Sequence, residues 1–382
     1  MTPSGPRVLV LTASYGSGHN RVAATLAAEF RRAGALPRVV DHFYDLVHPE
    51  FDRLTRNLYY AVLRRTPVLW GIAYWLGDQL SVSSPLLAGL NLVGRRKLGK
   101  LLVADPPDRI VSVHPTPVAS LSALRRCGVR IPSHTTVFTD FVAHTQWIYP
   151  GVDRYCVPAQ EIARDLMARG VARDRVTVTG IPVAGEFTEM SERAQARLAL
   201  GLSPRLPVLL FMDGSGGGFG RLEDAMATVL AMEEPLQAVV VTGHEERLEA
   251  RLRQMAAGRE SRVKIFGYVE NVRQFMAAAD FLVTKAGGLT LGEALAAELP
   301  VICFGSLPGQ ESRNERFAAM AGVALVASSG AQLQRVIGAA LRDPVLLRNI
   351  RDRIRVYRRP DAARDIVEMV LTGRAVAQKR AS

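Results

Sequence analysis

The residues best placed to do chemistry begin at Thr12-Ala-Ser-Tyr-Gly-Ser-Gly-His19, between an apolar run, Val8–Leu11, and a helix-like segment starting near Asn20. Gly16 and Gly18 let a backbone pass close to a ligand, and the N-terminus of the following helix offers unpaired N–H groups to an anion or polar substrate. His19 adds a group whose ordinary pKa lies near neutrality, suited to taking a proton from a hydroxyl. Alone, the turn also fits a generic strand-to-helix connection and the histidine ordinary polar surface. It is not a GxGxxG.

Three further strings have the same character. Asp213-Gly-Ser-Gly-Gly-Gly-Phe-Gly220 carries five glycines in eight residues, so Gly214, Ser215, Gly216 and Gly217 could wrap a diphosphate with backbone N–H groups, and Arg221 could add charge. No Gly-Lys-Ser/Thr ends it, which excludes a Walker A loop. Thr284-Lys-Ala-Gly-Gly-Leu-Thr-Leu-Gly-Glu-Ala-Leu295 reads as strand end, glycine turn and helix. There Gly287, Gly288, Leu289 and Thr290 would approach phosphates, and Glu293 would accept ribose hydroxyls from one turn into the helix. Pro308-Gly-Gln-Glu-Ser-Arg-Asn314 follows the next strand, placing Gln310, Glu311 and Asn314 where parallel sheets bind ligands.

The Thr284–Leu295 and Pro308–Asn314 strings resemble the donor signature of a glycosyltransferase group. It comprises monogalactosyldiacylglycerol synthases, processive diacylglycerol glucosyltransferases and the enzyme that makes lipid II from lipid I. The resemblance extends through Thr12–His19, the aromatic segment from near Asn57, and Thr139-Asp-Phe-Val-Ala-His144 with Trp147. It spans nearly the whole chain and is closest to the diacylglycerol branch. Departures are small: Gly292 precedes Glu293, and Ala286 follows Lys285 where related sequences often carry proline.

The resemblance implies a GT-B fold, a UDP-sugar donor and inversion at the anomeric carbon. It implies that Glu293 binds ribose, Gly287, Gly288 and Thr290 hold diphosphate, and Gln310 and Glu311 meet the sugar. Phe266, before Gly267 and Tyr268, would lie against uracil. His19 is then the acceptor-side base, with Asp140 as its rival, and the acceptor is diacylglycerol.

Positioning these groups takes two α/β units. Short β-branched runs alternate with helix-like segments, as in parallel sheets with crossover helices. Strands are expected near Arg7–Leu11, Arg38–Asp41, Arg109–Val113, Thr135–Thr139, Asp153–Val157 and Val176–Thr179. A second series is expected near Pro207–Met212, Ala238–Val241, Val263–Phe266, Asp280–Thr284 and Pro300–Phe304. The fold class is therefore α/β, two Rossmann-like doubly wound domains facing an interdomain cleft. The chain of 382 residues divides into an acceptor and membrane-docking domain, 1–188, and a UDP-sugar domain, 189–358. A tail, 359–382, is expected to pack back on the first.

Residues 51–100 break the alternation, being helical, aromatic and basic: from Arg53 to Lys100 there are eight Lys or Arg against one acid, Asp78. Tyr59, Tyr60, Trp70 and Trp75 beside these cations suit an anionic membrane surface, with His144 a candidate acceptor contact. A helical core insertion with a solvated basic face has the same composition. The longest aromatic-rich apolar stretch falls short of the ~20 residues a spanning helix needs. With no signal-peptide core at the N-terminus, a peripheral protein at the cytoplasmic membrane face is expected.

The three cysteines lie far apart and suggest neither disulfide nor zinc site. The sequence has no Asp-x-Asp and no paired-His spacing, so no metal or other cofactor is expected. A charge of +12 attracts nucleic acid, anionic lipid and phosphorylated metabolites alike. No nucleic-acid module is recognisable, and no nucleic-acid partner is expected. Rival readings are transfer of N-acetylglucosamine to another lipid, a UDP-sugar 2-epimerase, and a nicotinamide or flavin oxidoreductase with Asp41 as ribose acid.

Overall fold

Runs such as Val208–Met212 and Gln237–Val241 are apolar at nearly every position, and both strands are buried along their whole length. Strands covered on both faces are the mark of a parallel sheet under two helix layers. A computed structural model describes residues 5–80, 93–212 and 221–374, and they form two such sheets.

The first comprises β1 (Arg7–Thr12), β2 (Leu36–Asp41), β3 (Arg109–Ser112), β4 (Ser133–Val137), β5 (Arg154–Val157) and β6 (Val176–Val178). The second comprises β7 (Val208–Met212), β8 (Gln237–Val241), β9 (Val263–Phe266), β10 (Phe281–Thr284), β11 (Val301–Phe304) and β12 (Ala324–Ala327). All pairings are parallel, in the orders β2-β1-β3-β4-β5-β6 and β12-β11-β10-β7-β8-β9. The order reverses between β1 and β3 in one sheet and between β7 and β10 in the other. Ligands of open α/β sheets bind at the carboxyl ends of strands flanking such a switch point. Both glycine turns of interest therefore arise where the topology predicts a site.

One compact unit holds the chain up to Gly185 together with the stretch from Asp361, and the other runs from Glu186 to Pro360. In the first, Leu98, Leu102, Leu121 and Leu124 from two helices pack on Leu9, Leu11 and Ile110. Each fully buried leucine contributes roughly 1.5–3 kcal/mol. The Ala362–Thr372 helix packs against the Ser17–Arg32 helix. Its last carbonyls are capped by arginines: Arg109 Nε donates to Val370 O at 3.2 Å and Arg154 to Gly373 O. Cations there also favour the negative end of the helix dipole.

Two expectations shift. Ala324–Ala327 forms a strand that its short, alanine-rich sequence does not announce. The fourth strand ends at Val137 rather than Thr139, leaving Thr139 beyond the sheet.

The aromatic segment folds as helices Pro49–Arg65 and Pro67–Gln79. The break falls at Thr66 because Pro67 disfavours helical backbone in the residue before it and starts a helix well. Among the described residues no helix is long and apolar enough to cross a membrane.

Candidate functional site

On the N-terminal unit the chain leaves β1, turns at Gly16 and enters the Ser17–Arg32 helix. Gly16 has φ 103°, a conformation that glycine alone adopts without strain. Behind the turn, Thr12 Oγ1 donates to Asn20 Oδ1 at 2.8 Å, Asn20 Nδ2 to Ser14 Oγ at 2.8 Å, and Ser14 Oγ to Asp41 Oδ2 at 2.5 Å. This chain of side chains, unseen in the sequence, fixes the turn's shape. It also engages Asp41, the would-be ribose acid of an oxidoreductase, which accepts from the Phe43 and Tyr44 N–H groups as well.

His19 stands in the first turn of that helix, with Gly18 just before it. Its Nδ1 lies 2.8 Å from Val113 O and 3.0 Å from Thr139 Oγ1. A carbonyl only accepts, so Nδ1 carries the proton and Nε2 keeps its lone pair. The structure thus sets the tautomer a general base requires. Burial lowers the His19 pKa below the ordinary value, opposed by the Asp140 charge and the Val113 bond. His114 packs edge-on at 4.8 Å. Its own pKa is pushed well down by burial, then by the positive forms of His19 and His42. Asp140 acts on His19 through its charge.

Two of the membrane candidates, Tyr59 and Tyr60, are half-buried in an aromatic cluster. Tyr59 packs edge-on against Trp70 at 5.0 Å and Tyr15 at 5.6 Å, and Tyr60 leans on Tyr59. Trp75 is 54% exposed and has aliphatic company that the sequence reading missed: Leu54, Leu58, Val68, Leu69, Ile72 and Leu76 are all exposed. His144 requires correction as an acceptor contact. It is buried, its Nδ1 accepts from Gln146 N at 3.1 Å, and its Nε2 donates to Tyr74 O at 3.1 Å. Both ring nitrogens are engaged, Nδ1 in capping the Thr145–Trp147 turn and Nε2 in holding the Pro67–Gln79 helix to the unit. Asp78, at the end of that helix, adds bonds to Thr145 N and Arg169.

On the C-terminal unit, β10 leads into Lys285–Gly287 and the Gly288–Ala296 helix. The turn is braced from the neighbouring loop and helix: Ala286 N donates to Ser306 Oγ at 3.1 Å and Asn314 Nδ2 to Ala286 O at 3.0 Å. Asn314 is fully buried, so its expected role as a donor contact is corrected to one of holding the glycine turn. Gly288 and Leu289 open the helix, with N–H groups free of intrahelical partners as in any first turn. Thr290 is half-exposed there, and Glu293 is buried at 1% exposure.

Gln310 and Glu311 open the next helix after Gly309, whose φ of 106° again demands glycine. Glu311 Oε2 accepts from Leu307 N at 2.9 Å, and Lys285 Nζ stands 3.4 Å from Oε1. Lys285 and Ser306 escaped the sequence reading because only the fold brings the two turns together.

Phe266 meets Phe275 edge-on at 5.0 Å, and beyond Gly267 the exposed Tyr268 stacks on His244 at 4.2 Å. Gly214, Ser215, Gly216 and Gly217 lie outside the described residues. Arg221 is not free to serve a diphosphate in this arrangement. Its guanidinium bonds Asp224 and Ser328 O and lies over the Phe304 ring.

Residues 19–183 match the monogalactosyldiacylglycerol (MGDG) synthase family, and residues 152–371 match UDP-N-acetylglucosamine 2-epimerase. Over 366 residues the chain is 30% identical to a processive diacylglycerol beta-glucosyltransferase of Bacillus cereus, covering 96% of this chain and 93% of that one. A protein of the same name from Bacillus mycoides matches equally, at 30% over the same shares. Among solved structures, Acinetobacter baumannii MurG aligns with a TM-score of 0.63 at 15% identity, over 96% of this chain and 99% of that one. S. aureus MnaA with UDP aligns at 0.66 and 14%, over 97% and 99%. These likenesses show the fold, GT-B, with two Rossmann-like units.

Proposed function

The chain belongs to the diacylglycerol glycosyltransferase family, and from that premise we propose that it transfers a hexose from UDP-glucose or UDP-galactose to 1,2-diacylglycerol with inversion. The match to the Bacillus glucosyltransferases through both units carries the reading. The epimerase match begins at residue 152 and leaves the His19 turn outside it.

In this reading the N-terminal unit takes the acceptor and the C-terminal unit the donor. His19 Nε2 removes the proton from the diacylglycerol hydroxyl as its oxygen bonds to the anomeric carbon. The bond from that carbon to the diphosphate breaks at the same time, and UDP leaves with the electron pair. Backbone N–H groups at the start of the Gly288–Ala296 helix stabilise the departing charge, with no metal called for.

Diacylglycerol stays in the bilayer, so the enzyme must go to it. The exposed aliphatic residues and Trp75 on the two helices from Pro49 to Gln79 form an apolar face. Arg53, Arg64 and Arg65 on the first of these helices are exposed beside it. Such a face seats in the headgroup boundary, its cations toward anionic lipid. In this reading the protein works peripherally at the cytoplasmic membrane face. Leu69→Ser combined with Ile72→Ser should weaken binding to anionic vesicles about 30-fold, from roughly 2 kcal/mol of lost apolar burial. Co-sedimentation measures it, and unchanged binding would overturn the docking face.

Incubation with labelled UDP-glucose, UDP-galactose or UDP-N-acetylglucosamine and diacylglycerol micelles, followed by lipid extraction, tests the proposal. Label in glycolipid from one of the hexose donors supports it. Lipid label from UDP-N-acetylglucosamine alone would replace the donor. A 2-epimerised sugar nucleotide without lipid label would establish the epimerase reading instead.

A further inference from the structure

The Thr284–Gly288 turn and the Ser306–Asn314 stretch meet through three side-chain links. Ser306 holds the Ala286 N–H, Asn314 holds the Ala286 carbonyl, and Lys285 pairs with Glu311. Only the third link carries charge. The Lys285 and Glu311 side chains are 11% and 15% exposed, mostly sheltered yet still open to a ligand.

We propose that Lys285 is a positioning residue. It holds the Glu311 carboxylate in place for the hydroxyls of the donor's sugar, rather than serving as the cation for the diphosphate. The inference rests on the donor site assigned above.

Glu311 is held at both oxygens, Oε2 by Leu307 N at 2.9 Å and Oε1 by Lys285 Nζ at 3.4 Å. It also stands in the first turn of its helix, where the dipole favours a carboxylate. Each carboxylate oxygen has two lone-pair sites, so the ones left over have a fixed direction and can accept from sugar hydroxyls. If Lys285 swung to a phosphate instead, a largely sheltered carboxylate would lose its charge partner, a costly exchange. The phosphate-facing groups are the helix N–H donors on the other side of Ala286, and these need no lysine.

The two roles separate by ligand, because UDP has the diphosphate and lacks the sugar. In the intact chain, Lys285→Met should raise KM for the UDP-hexose about tenfold while the Kd for UDP, measured by calorimetry, stays within twofold. Lys285→Arg should recover most of the loss. Glu311→Gln should raise KM comparably, and Lys285→Met with Glu311→Gln should be no worse than the weaker single variant. This non-additivity is the mark of one shared function.

A fall in UDP affinity in Lys285→Met matching the fall for UDP-hexose would overturn the proposal in favour of a diphosphate contact. Additive losses in the double variant would overturn it as well. Should Lys285→Met fail to fold, Lys285→Arg and Glu311→Gln still decide, since loss of UDP binding in Lys285→Arg alone contradicts positioning. A wild-type chain that binds no UDP refutes the donor assignment itself, an outcome distinct from either.

Discussion

Replacing His19 by alanine should lower turnover by about 10²- to 10⁴-fold, the usual worth of a general base, while UDP binding stays at the wild-type level. The reason is local. Nδ1 is held by the Val113 carbonyl, so the ring presents Nε2 as the proposed base, and alanine removes it while leaving the proposed UDP-binding residues unchanged. His19→Gln keeps a polar side chain of similar reach but no base and should be nearly as inactive. Burial lowers the His19 pKa, so the neutral, reactive ring dominates at pH 7. Activity should be full above that pKa and fall as pH drops through it, with the acid limb below the ordinary histidine value near 6.5. Asp140→Asn removes the charge that raises the His19 pKa and should move this limb further toward acid while activity near neutrality is retained. If Asp140 were the base, Asp140→Asn would instead abolish turnover and His19→Ala would spare much of it. A pH profile of kcat/KM for the three variants separates the two roles.

The parts legible in the sequence are those whose cause is local. Val208–Met212 declares itself as a buried strand because every residue in it is apolar, and the glycine turns declare themselves because φ above zero at Gly16 and Gly309 admits little else. Ala324–Ala327 is too short and too small-chained for periodicity to find. The Lys285–Glu311 and Asn314–Ala286 links join residues 26 and 28 apart in sequence, and only the pairing of β10 with β11 puts them side by side. His144 shares a local arrangement with two other histidines, and for those two the sequence announces it. His48, His114 and His144 each accept from the N–H two residues on, at the start of a helical turn. Two of them stand directly before a proline, Pro49 and Pro115. Pro at the first helical position is a start signal, so a histidine in front of it is a capping group before it is a catalytic one. His19 differs, being inside its helix with Nδ1 turned to another strand. On the helices from Pro49 to Gln79 the sequence reading picked out the exposed Trp75 and missed the exposed Leu54, Leu58, Val68, Leu69, Ile72 and Leu76.

Glu293→Gln should raise the Kd for UDP and the KM for UDP-hexose together, by about 10²-fold, with turnover at saturating donor within a few fold of wild type. A carboxylate that accepts from both ribose hydroxyls makes two charge-assisted bonds at roughly 1.5–3 kcal/mol each. Glutamine keeps one acceptor of lower strength and puts an N–H₂ where the second hydroxyl would donate, so about 3 kcal/mol is lost, which is the stated factor. Glu293 is 1% exposed, and glutamine is chosen over alanine because it keeps the volume of a buried position. This effect is distinct from that of Lys285→Met, which leaves UDP itself untouched. A general loss of structure would weaken every nucleotide alike, so 2′-deoxy-UDP supplies the control. Wild type should bind it tens of times more weakly than UDP, whereas Glu293→Gln, already without the bond, should distinguish the two poorly. Equal binding of UDP and 2′-deoxy-UDP by the wild-type chain would remove Glu293 from the ribose and leave it a buried residue of the helix.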